Sequence, residues 1–229
     1  MADREAAIKG FLARAGWGAA DRKHLAGDAS DRRYERLRLG AATAVLMDNP
    51  PGGADDPQAF ALLDRHLRAL GLSAPGILAE DVAQGLLLLE DLGDDLYARL
   101  LTADAARETE LYAPAVDVLL HLQAAAPPPH LPNLAAEDWA SAAGFALEWY
   151  AFAATGTAPD PADFHASLTA ALGTHADGPR VLILRDYHAE NLLWLPGRTG
   201  LARVGLLDFQ LGQLGQPGYD LVSLLQDAR

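Results

Sequence analysis

The sequence predicts an α+β fold in which a small N-terminal part, built on a mixed or antiparallel sheet, precedes a larger and mostly helical part. Three patterns lead to this prediction. Alternating apolar residues indicate short strands before Glu90, alanine and leucine at helical spacing dominate from residue 94 to about 125, and short apolar runs return after residue 180. We place the boundary between the two parts near the end of the last N-terminal strand, giving units 1–91 and 92–229.

The N-terminal part begins with a predicted helix at residues 3–15, which Gly16 ends. Strands are expected at 34–39, 43–47, 76–78 and 86–89, with a second helix at 56–70.

The C-terminal part is expected to be helical at residues 94–125, 137–154 and 162–172. Pro114 predicts a kink or a break in the first of these helices, because proline removes a backbone donor. Trp149 and Tyr150 lie on the second, where we expect them to pack in the core. Strands follow at 181–184, 192–195 and 204–207, and a last helix begins near Tyr219.

Composition narrows the functional classes. Half of the 229 residues are hydrophobic and 21% are charged, which is typical of a globular protein, and cysteine is absent. The net charge of −13 opposes binding to nucleic-acid phosphates. No apolar run approaches the length of a membrane span, and charged residues near the N-terminus are unlike a secretory signal. We therefore expect a cytoplasmic protein with no nucleic-acid or membrane partner; its oligomeric state stays open.

The strongest chemical pattern is the segment Arg-Asp-Tyr-His-Ala-Glu-Asn at 185–191, between two apolar runs. Asp186 and Asn191 project from this loop, and Asp208 follows a third apolar run. A carboxylate and an amide oxygen suit Mg²⁺, so Asn191 and Asp208 are candidate metal ligands. A separate carboxylate, Asp186, would accept the proton of a substrate hydroxyl, and His188 would donate to the transferred phosphate.

Each of these residues alone is as easily explained as a cap on a turn between strands. The three oxygen-bearing residues at this spacing, each flanked by a predicted strand, favour phosphoryl transfer over that explanation.

The same residues resemble the catalytic loop and metal motif of the aminoglycoside-phosphotransferase and choline-kinase branch of the protein-kinase-like fold. The resemblance implies a two-lobed protein that uses ATP and Mg²⁺. It also implies that Asp220, in Gln-Pro-Gly-Tyr-Asp-Leu at 216–221, braces the catalytic loop; a helix N-terminal aspartate is the alternative. Leu184 departs from the family pattern, which has a histidine there.

Candidate nucleotide contacts lie in the N-terminal part. Gly27 and Ser30 belong to a turn whose backbone amides would approach phosphates; a plain β-turn is the alternative. Glu90 and Leu92 lie in the segment that corresponds to the kinase hinge, whose backbone holds adenine in the family.

The third strand ends in Met47, where kinases have a lysine, and the nearest helical acid is Asp64. Arg32 and Arg33 are therefore further candidate phosphate contacts. An isolated surface arginine is the alternative for each.

A closer resemblance covers nearly the whole chain. Gly-Asp-Ala-Ser at 27–30, Val-Leu-Met-Asp at 45–48, the hinge and the catalytic loop resemble the AmgK type of bacterial kinase. That family phosphorylates the anomeric hydroxyl of N-acetylmuramate and N-acetylglucosamine in cell-wall (peptidoglycan) recycling, which implies a small amino-sugar substrate.

Two other interpretations stay open: a kinase for aminoglycosides or other small molecules, and a non-catalytic nucleotide-binding relative. Family members continue past the segment at 224–229, so the chain looks truncated at its C-terminus and its C-terminal lobe incomplete.

Overall fold

A five-stranded antiparallel sheet forms most of the N-terminal part of the computed structural model, which describes residues 2–25, 32–52, 56–176 and 178–226. The strand order is β1-β2-β3-β5-β4. The strands are β1 Asp21–His24, β2 Arg33–Leu39, β3 Ala42–Asp48, β4 Ile77–Asp81 and β5 Leu86–Glu90. Four of them match predicted strands. Strand β1 was not predicted, because it is an edge strand of charged and largely exposed residues with no apolar alternation.

The two faces of the sheet have different neighbours. Helix α1 (Ala2–Arg14) covers one face, where Phe11 and Leu12 pack with Leu37 and Leu46. Met47, on the other face, joins the main apolar cluster that continues into the C-terminal part. Alternation along β2 and β3 therefore determines which side chains reach that part of the molecule.

Helix α2 (Pro57–Ala69) packs against the main cluster. Asp56 caps its N-terminus by accepting a hydrogen bond from the backbone nitrogen of Gln58 at 2.8 Å, and proline occupies its first position. Phe60 of this helix stacks on Phe209, with ring centroids 4.9 Å apart. The helix is thereby joined to the segment that carries Asp208.

The C-terminal part combines helices with two small antiparallel strand pairs. Its helices are α3 Tyr97–Ala103, α4 Glu108–Ala124, α5 Ala136–Ala143, α6 Phe152–Thr155, α7 Ala162–His175 and α8 Tyr219–Leu225. Its strands are β6 Val181–Ile183, β7 Leu192–Trp194, β8 Val204–Leu206 and β9 Gln213–Gly215. β6 pairs with β9 and β7 with β8. These elements and the N-terminal sheet confirm the predicted α+β class.

Two details of the helices differ from the predictions. The predicted 94–125 helix is divided into two helices, but the division lies at Asp104, whose carboxylate caps a short 3₁₀ turn, and α4 continues through Pro114. Between α5 and α6 the chain forms a π-helical segment, Ala146–Ala151, on which Trp149 and Tyr150 are largely exposed rather than packed in the core. Among the described helices, none is long and apolar enough to cross a membrane.

Asp64 is a buried acid on α2, with 1% of its surface exposed. Within the part of the chain that the structure describes, its Oδ1 has no hydrogen-bond partner. Burial raises the pKa of Asp64 to about 6, and the nearby Arg68 and Arg65 offset part of this rise. The folded protein therefore holds a proton on Asp64 more tightly than the unfolded chain does.

We expect burial of this carboxyl to destabilise the protein increasingly as the pH rises from the ordinary carboxyl pKa of 3.8 through about 6. Asp64→Asn should remove that penalty, so the variant's gain in free energy of unfolding should be larger at pH 7 than at pH 4 by about 1–3 kcal/mol. Denaturant unfolding at both pH values measures the gain. Asp117→Asn, at an exposed position of α4, is the control. The same gain at both pH values for Asp64→Asn would contradict the expectation.

Candidate active site

A cleft of about 450 Å³ separates the N-terminal sheet from the strands of the C-terminal part. Tyr34 and Leu89 line it from the sheet, and Asn191 and Asp208 line it from the opposite side. The segment 90–94 connects the two sides and also lines the cleft. The structure thus brings the predicted metal ligands and the predicted hinge to one cavity.

The pairing of β7 with β8 explains why Asn191 and Asp208 meet. Leu192 is opposite Leu206 in this antiparallel pair. One residue further, the backbone nitrogen of Leu207 donates to the carbonyl oxygen of Asn191 at 3.0 Å. Asp208 comes next in the chain, so both polar side chains start from the same end of one short ladder.

The side-chain amide of Asn191 is oriented by the loop itself. Its Nδ2 donates to the carbonyl oxygen of Asp186 at 3.0 Å and lies 3.3 Å from Nε2 of His188. Because the nitrogen end is used within the loop, the oxygen end is the part of Asn191 suited to a cation. The same bond fixes the backbone that carries Asp186.

His188 lies beneath the loop, with 2% of its surface exposed. Its backbone carbonyl accepts a hydrogen bond from the Asn191 nitrogen at 2.9 Å. This placement gives the imidazole a partner in Asn191 rather than an open position in the cleft. Donation from His188 to the transferred phosphate, expected from the sequence, stays a prediction.

Two further contacts anchor the catalytic loop to helices. Asp220 of α8 accepts hydrogen bonds from the backbone nitrogens of Leu184 at 2.7 Å and Arg185 at 2.9 Å. Tyr187 donates its hydroxyl to the carbonyl oxygen of Ala115 in α4 at 2.8 Å. The loop needs such support because Arg185 has a φ of 73°. This value lies in the left-handed region, which residues other than glycine rarely adopt.

The Asp220 carboxyl is almost completely buried, with 1% of its surface exposed. Burial raises its pKa to about 6, although the two backbone donors favour the charged form, and the neighbouring Asp186 raises the pKa further. The carboxylate is thus a buried anion whose oxygens both accept backbone hydrogen bonds. This geometry is the one expected of a loop-supporting residue.

Asp208 already has positively charged and polar partners. Nη2 of Arg32 lies 3.0 Å from its Oδ1, and Nε2 of Gln210 donates to the same oxygen at 2.7 Å. Asp208 itself has a φ of 54°, which turns its side chain out of the regular strand direction. Gln210 was not among the predicted site residues, because its contact with Asp208 depends on the turn that follows β8.

The residues present fit a magnesium ion held chiefly by a nucleotide. Asn191 offers a neutral oxygen and Asp208 an anionic one, and hard oxygen ligands are those that Mg²⁺ prefers. The Arg32 guanidinium on Asp208 Oδ1 shows that this carboxylate accepts a cation beside the cleft. Among the described residues there is no group of three or more His, Cys, Asp or Glu side chains arranged for a metal. The arrangement therefore suits an ion whose remaining ligands are phosphate oxygens of the substrate.

The hinge is held by side chains from both parts of the molecule. Glu90 accepts a hydrogen bond from the backbone nitrogen of Gly76 at 3.2 Å, and Nη2 of Arg198 donates to its other carboxylate oxygen. Glu90 and Leu92 both line the cleft. The structure thus places the two predicted hinge residues beside the cavity.

Arg36, which was not among the predicted site residues, binds the hinge from β2. Its guanidinium donates to Asp91 at 3.0 Å and to Asp94 at 2.6 Å. Arg36 follows Tyr34 by two residues, and both line the cleft. The alternation along β2 is the signal that would have identified it.

The four N-terminal phosphate-contact candidates have different outcomes. Gly27 and Ser30 lie outside the described residues. Arg32 reaches Asp208 and is buried, whereas Arg33 is exposed on the opposite side of the strand. Of the two arginines, only Arg32 is brought to the site.

Comparisons with known proteins agree with this fold. The chain is 40% identical to an N-acetylmuramate/N-acetylglucosamine kinase of Caulobacter vibrioides, over 99% of this chain and 72% of that protein. A kinase of the same name from Pseudomonas putida is 31% identical over 88% of this chain and 58% of that protein.

Two solved structures have the same fold at low sequence identity. Aminoglycoside-3′-phosphotransferase of type VIII is 18% identical with a TM-score of 0.65, covering 99% of this chain and 82% of that one. The ternary complex of APH(2″)-IIa with streptomycin and ATP is 13% identical with a TM-score of 0.66, covering 98% and 75%. They confirm the predicted protein-kinase-like fold.

The phosphotransferase enzyme family model (APH) matches residues 21–229, which include the sheet, the hinge and the catalytic loop. This chain therefore belongs to the APH phosphotransferase enzyme family.

Proposed function

We propose that this chain is an ATP-dependent kinase that phosphorylates the anomeric hydroxyl of N-acetylmuramate and N-acetylglucosamine. The observation that carries the proposal is the 40% identity to the Caulobacter kinase of these two sugars, which extends over 99% of this chain. A kinase of this specificity would act in the recycling of cell-wall sugars.

We assign the nucleotide to the cleft between the sheet and the catalytic loop. Apolar side chains such as Leu89 and Leu193 line it, as an adenine ring requires, and the hinge at 90–94 offers backbone groups at its edge. Backbone groups of Glu90 and Leu92 would hold adenine. APH(2″)-IIa, which shares this fold, has been solved with ATP bound, and this supports ATP as the nucleotide.

Asn191 and Asp208 would hold the Mg²⁺ that accompanies ATP. When bound, the ion neutralises charge on the phosphates. Asn191 contributes an oxygen whose orientation is set by the bond from its nitrogen to Asp186. Asp208 contributes the negative charge.

Asp186 would act on the acceptor. The oxygen of the anomeric hydroxyl forms a bond to the γ-phosphorus while the bond from that phosphorus to the ADP oxygen breaks, and the hydroxyl proton passes to the Asp186 carboxylate. No covalent intermediate with the enzyme is needed. Asp220 and Tyr187, by holding the loop, keep this carboxylate in place.

A cationic aminoglycoside is the second acceptor class. The net charge of −13 would attract such a molecule by long-range electrostatics, whatever the details of the pocket. The acceptor assay therefore includes the aminoglycoside kanamycin.

Asp186→Asn should lower kcat by at least about 100-fold, because an amide cannot take the proton of the attacking hydroxyl. The dissociation constant for Mg²⁺–ADP should change less than about twofold, since Asp186 is not assigned to the nucleotide. Steady-state kinetics and titration calorimetry measure the two quantities. Asp117→Asn, on the exposed side of α4, should match the wild type in both. A variant that fails to bind nucleotide while remaining folded would show that Asp186 has a different role.

The acceptor is tested with a chemically matched pair of sugars. Borohydride reduction of N-acetylglucosamine opens the ring, converts the anomeric centre into a primary alcohol and frees a hydroxyl at C5, while the acetamido group is unchanged. We expect turnover with N-acetylglucosamine and N-acetylmuramate and none above background with the reduced sugar. A coupled assay for ADP, with added ADP as control for the coupling enzymes, measures the rates, and ³¹P NMR identifies the product. Comparable turnover of the reduced sugar, or turnover with kanamycin alone, would refute the proposal.

A further inference from the structure

The third strand supplies no cation to the cleft. Met47 stands where a kinase has its lysine, and 1% of its surface is exposed. It packs in the main apolar cluster with Phe60 and Leu63 of α2. Asp64, the nearby acid of α2, therefore has no lysine from this position as a partner. If phosphates are bound here, another residue has to neutralise them.

The neighbouring strand brings an arginine to the same side. Tyr34 is directly opposite Met47 in the β2–β3 pair. Side chains at every second position of a strand share a face, and Tyr34 and Arg36 both line the cleft. Arg32 precedes Tyr34 by two residues and extends this row, whereas Arg33 lies on the other side and is exposed.

Arg32 reaches the centre of the site. Its side chain is 5% exposed, its Nη2 lies 3.0 Å from Asp208 Oδ1, and its Nη1 donates to the hydroxyl of Tyr34 at 3.3 Å. The Arg32 guanidinium thus contacts the same carboxylate, that of Asp208, to which we assign the metal. A buried arginine beside a carboxylate is suited to exchange partners, because its planar group binds carboxylates and phosphates with the same geometry.

We propose that Arg32 takes the place of the missing strand-three lysine and exchanges partners when nucleotide binds. In the free protein it neutralises Asp208. In the complex it turns to the phosphates of the nucleotide and leaves Asp208 to the metal. This inference rests on the proposed nucleotide site and adds the identity of the phosphate-binding cation and the coupling between nucleotide and metal.

The exchange has a consequence for binding order. Mg²⁺ alone has to compete with Arg32 for Asp208, whereas a nucleotide draws the guanidinium away. Nucleotide and metal should therefore strengthen each other's binding, and thermodynamic linkage makes this effect reciprocal. Removal of Arg32 should weaken nucleotide binding and at the same time relieve the competition for Asp208.

Titration calorimetry with ADP, with and without Mg²⁺, tests the exchange on the full chain. Arg32→Ala should weaken Mg²⁺–ADP binding by about 10- to 100-fold, the range expected for a lost charge-assisted contact to phosphate. Arg32→Lys, which keeps the charge, should lose less. Arg38→Ala, at an exposed position of the same strand, is the matched control and should bind as the wild type does.

Two further readouts separate this role from a merely structural one. Mg²⁺ without nucleotide should raise the melting temperature of Arg32→Ala more than that of the wild type, because Asp208 is no longer occupied. Adding Met47→Lys to Arg32→Ala should restore part of the affinity for Mg²⁺–ADP. The thermal melt of each variant without ligand reports whether it is folded.

The outcomes are distinct. Wild-type affinity in Arg32→Ala, or an equal response of both proteins to Mg²⁺ alone, would overturn the exchange while leaving the nucleotide site intact. Absence of ADP binding to the wild-type chain would instead refute the proposed function on which the inference rests.

Discussion

The Asp220 carboxylate, through its two backbone hydrogen bonds, is the interaction on which the rest of the site depends. It joins α8 to Leu184 and Arg185, which are 35 or more residues earlier in the chain. Arg185 has a left-handed backbone conformation that needs such support. The next residue is Asp186, whose carbonyl in turn orients the Asn191 amide. The Asp220 carboxylate is thus the first of a series of contacts that leads through the catalytic loop to Asn191 in the cleft.

Local patterns in the sequence were sufficient to predict the positions of many strands, helices and candidate site residues. Apolar runs flank the 185–191 loop and precede Asp208, so strand positions and polar positions could be assigned together. The antiparallel pairing of Leu192 with Leu206 then brings Asn191 and Asp208 to the same end. The hinge was predictable for a similar reason, because the apolar run of β5 ends abruptly at Glu90.

Long-range contacts account for most of what the sequence could not provide. Nothing in the local pattern around Arg32 indicates a partner 176 residues away. Alternation along β2 puts Arg36 on the cleft side, but its partners Asp91 and Asp94 depend on where the hinge passes β2. Trp149 is exposed although its helix looked apolar, because no described element covers that side. Pro114 does not interrupt α4. The helical segment is interrupted instead at Asp104, which caps a short 3₁₀ turn.

The most direct test of the central claim is amide hydrogen exchange in Asp220→Asn. Asparagine offers one oxygen to two backbone donors, so the account predicts faster exchange at Leu184 and Arg185 and a lower kcat, with little change in affinity for nucleotide. The amide of Leu88, in the middle of the N-terminal sheet, should exchange as in the wild type and excludes global unfolding as the cause. Unchanged exchange at Leu184 and Arg185, together with unchanged turnover, would contradict the claim that Asp220 holds the catalytic loop.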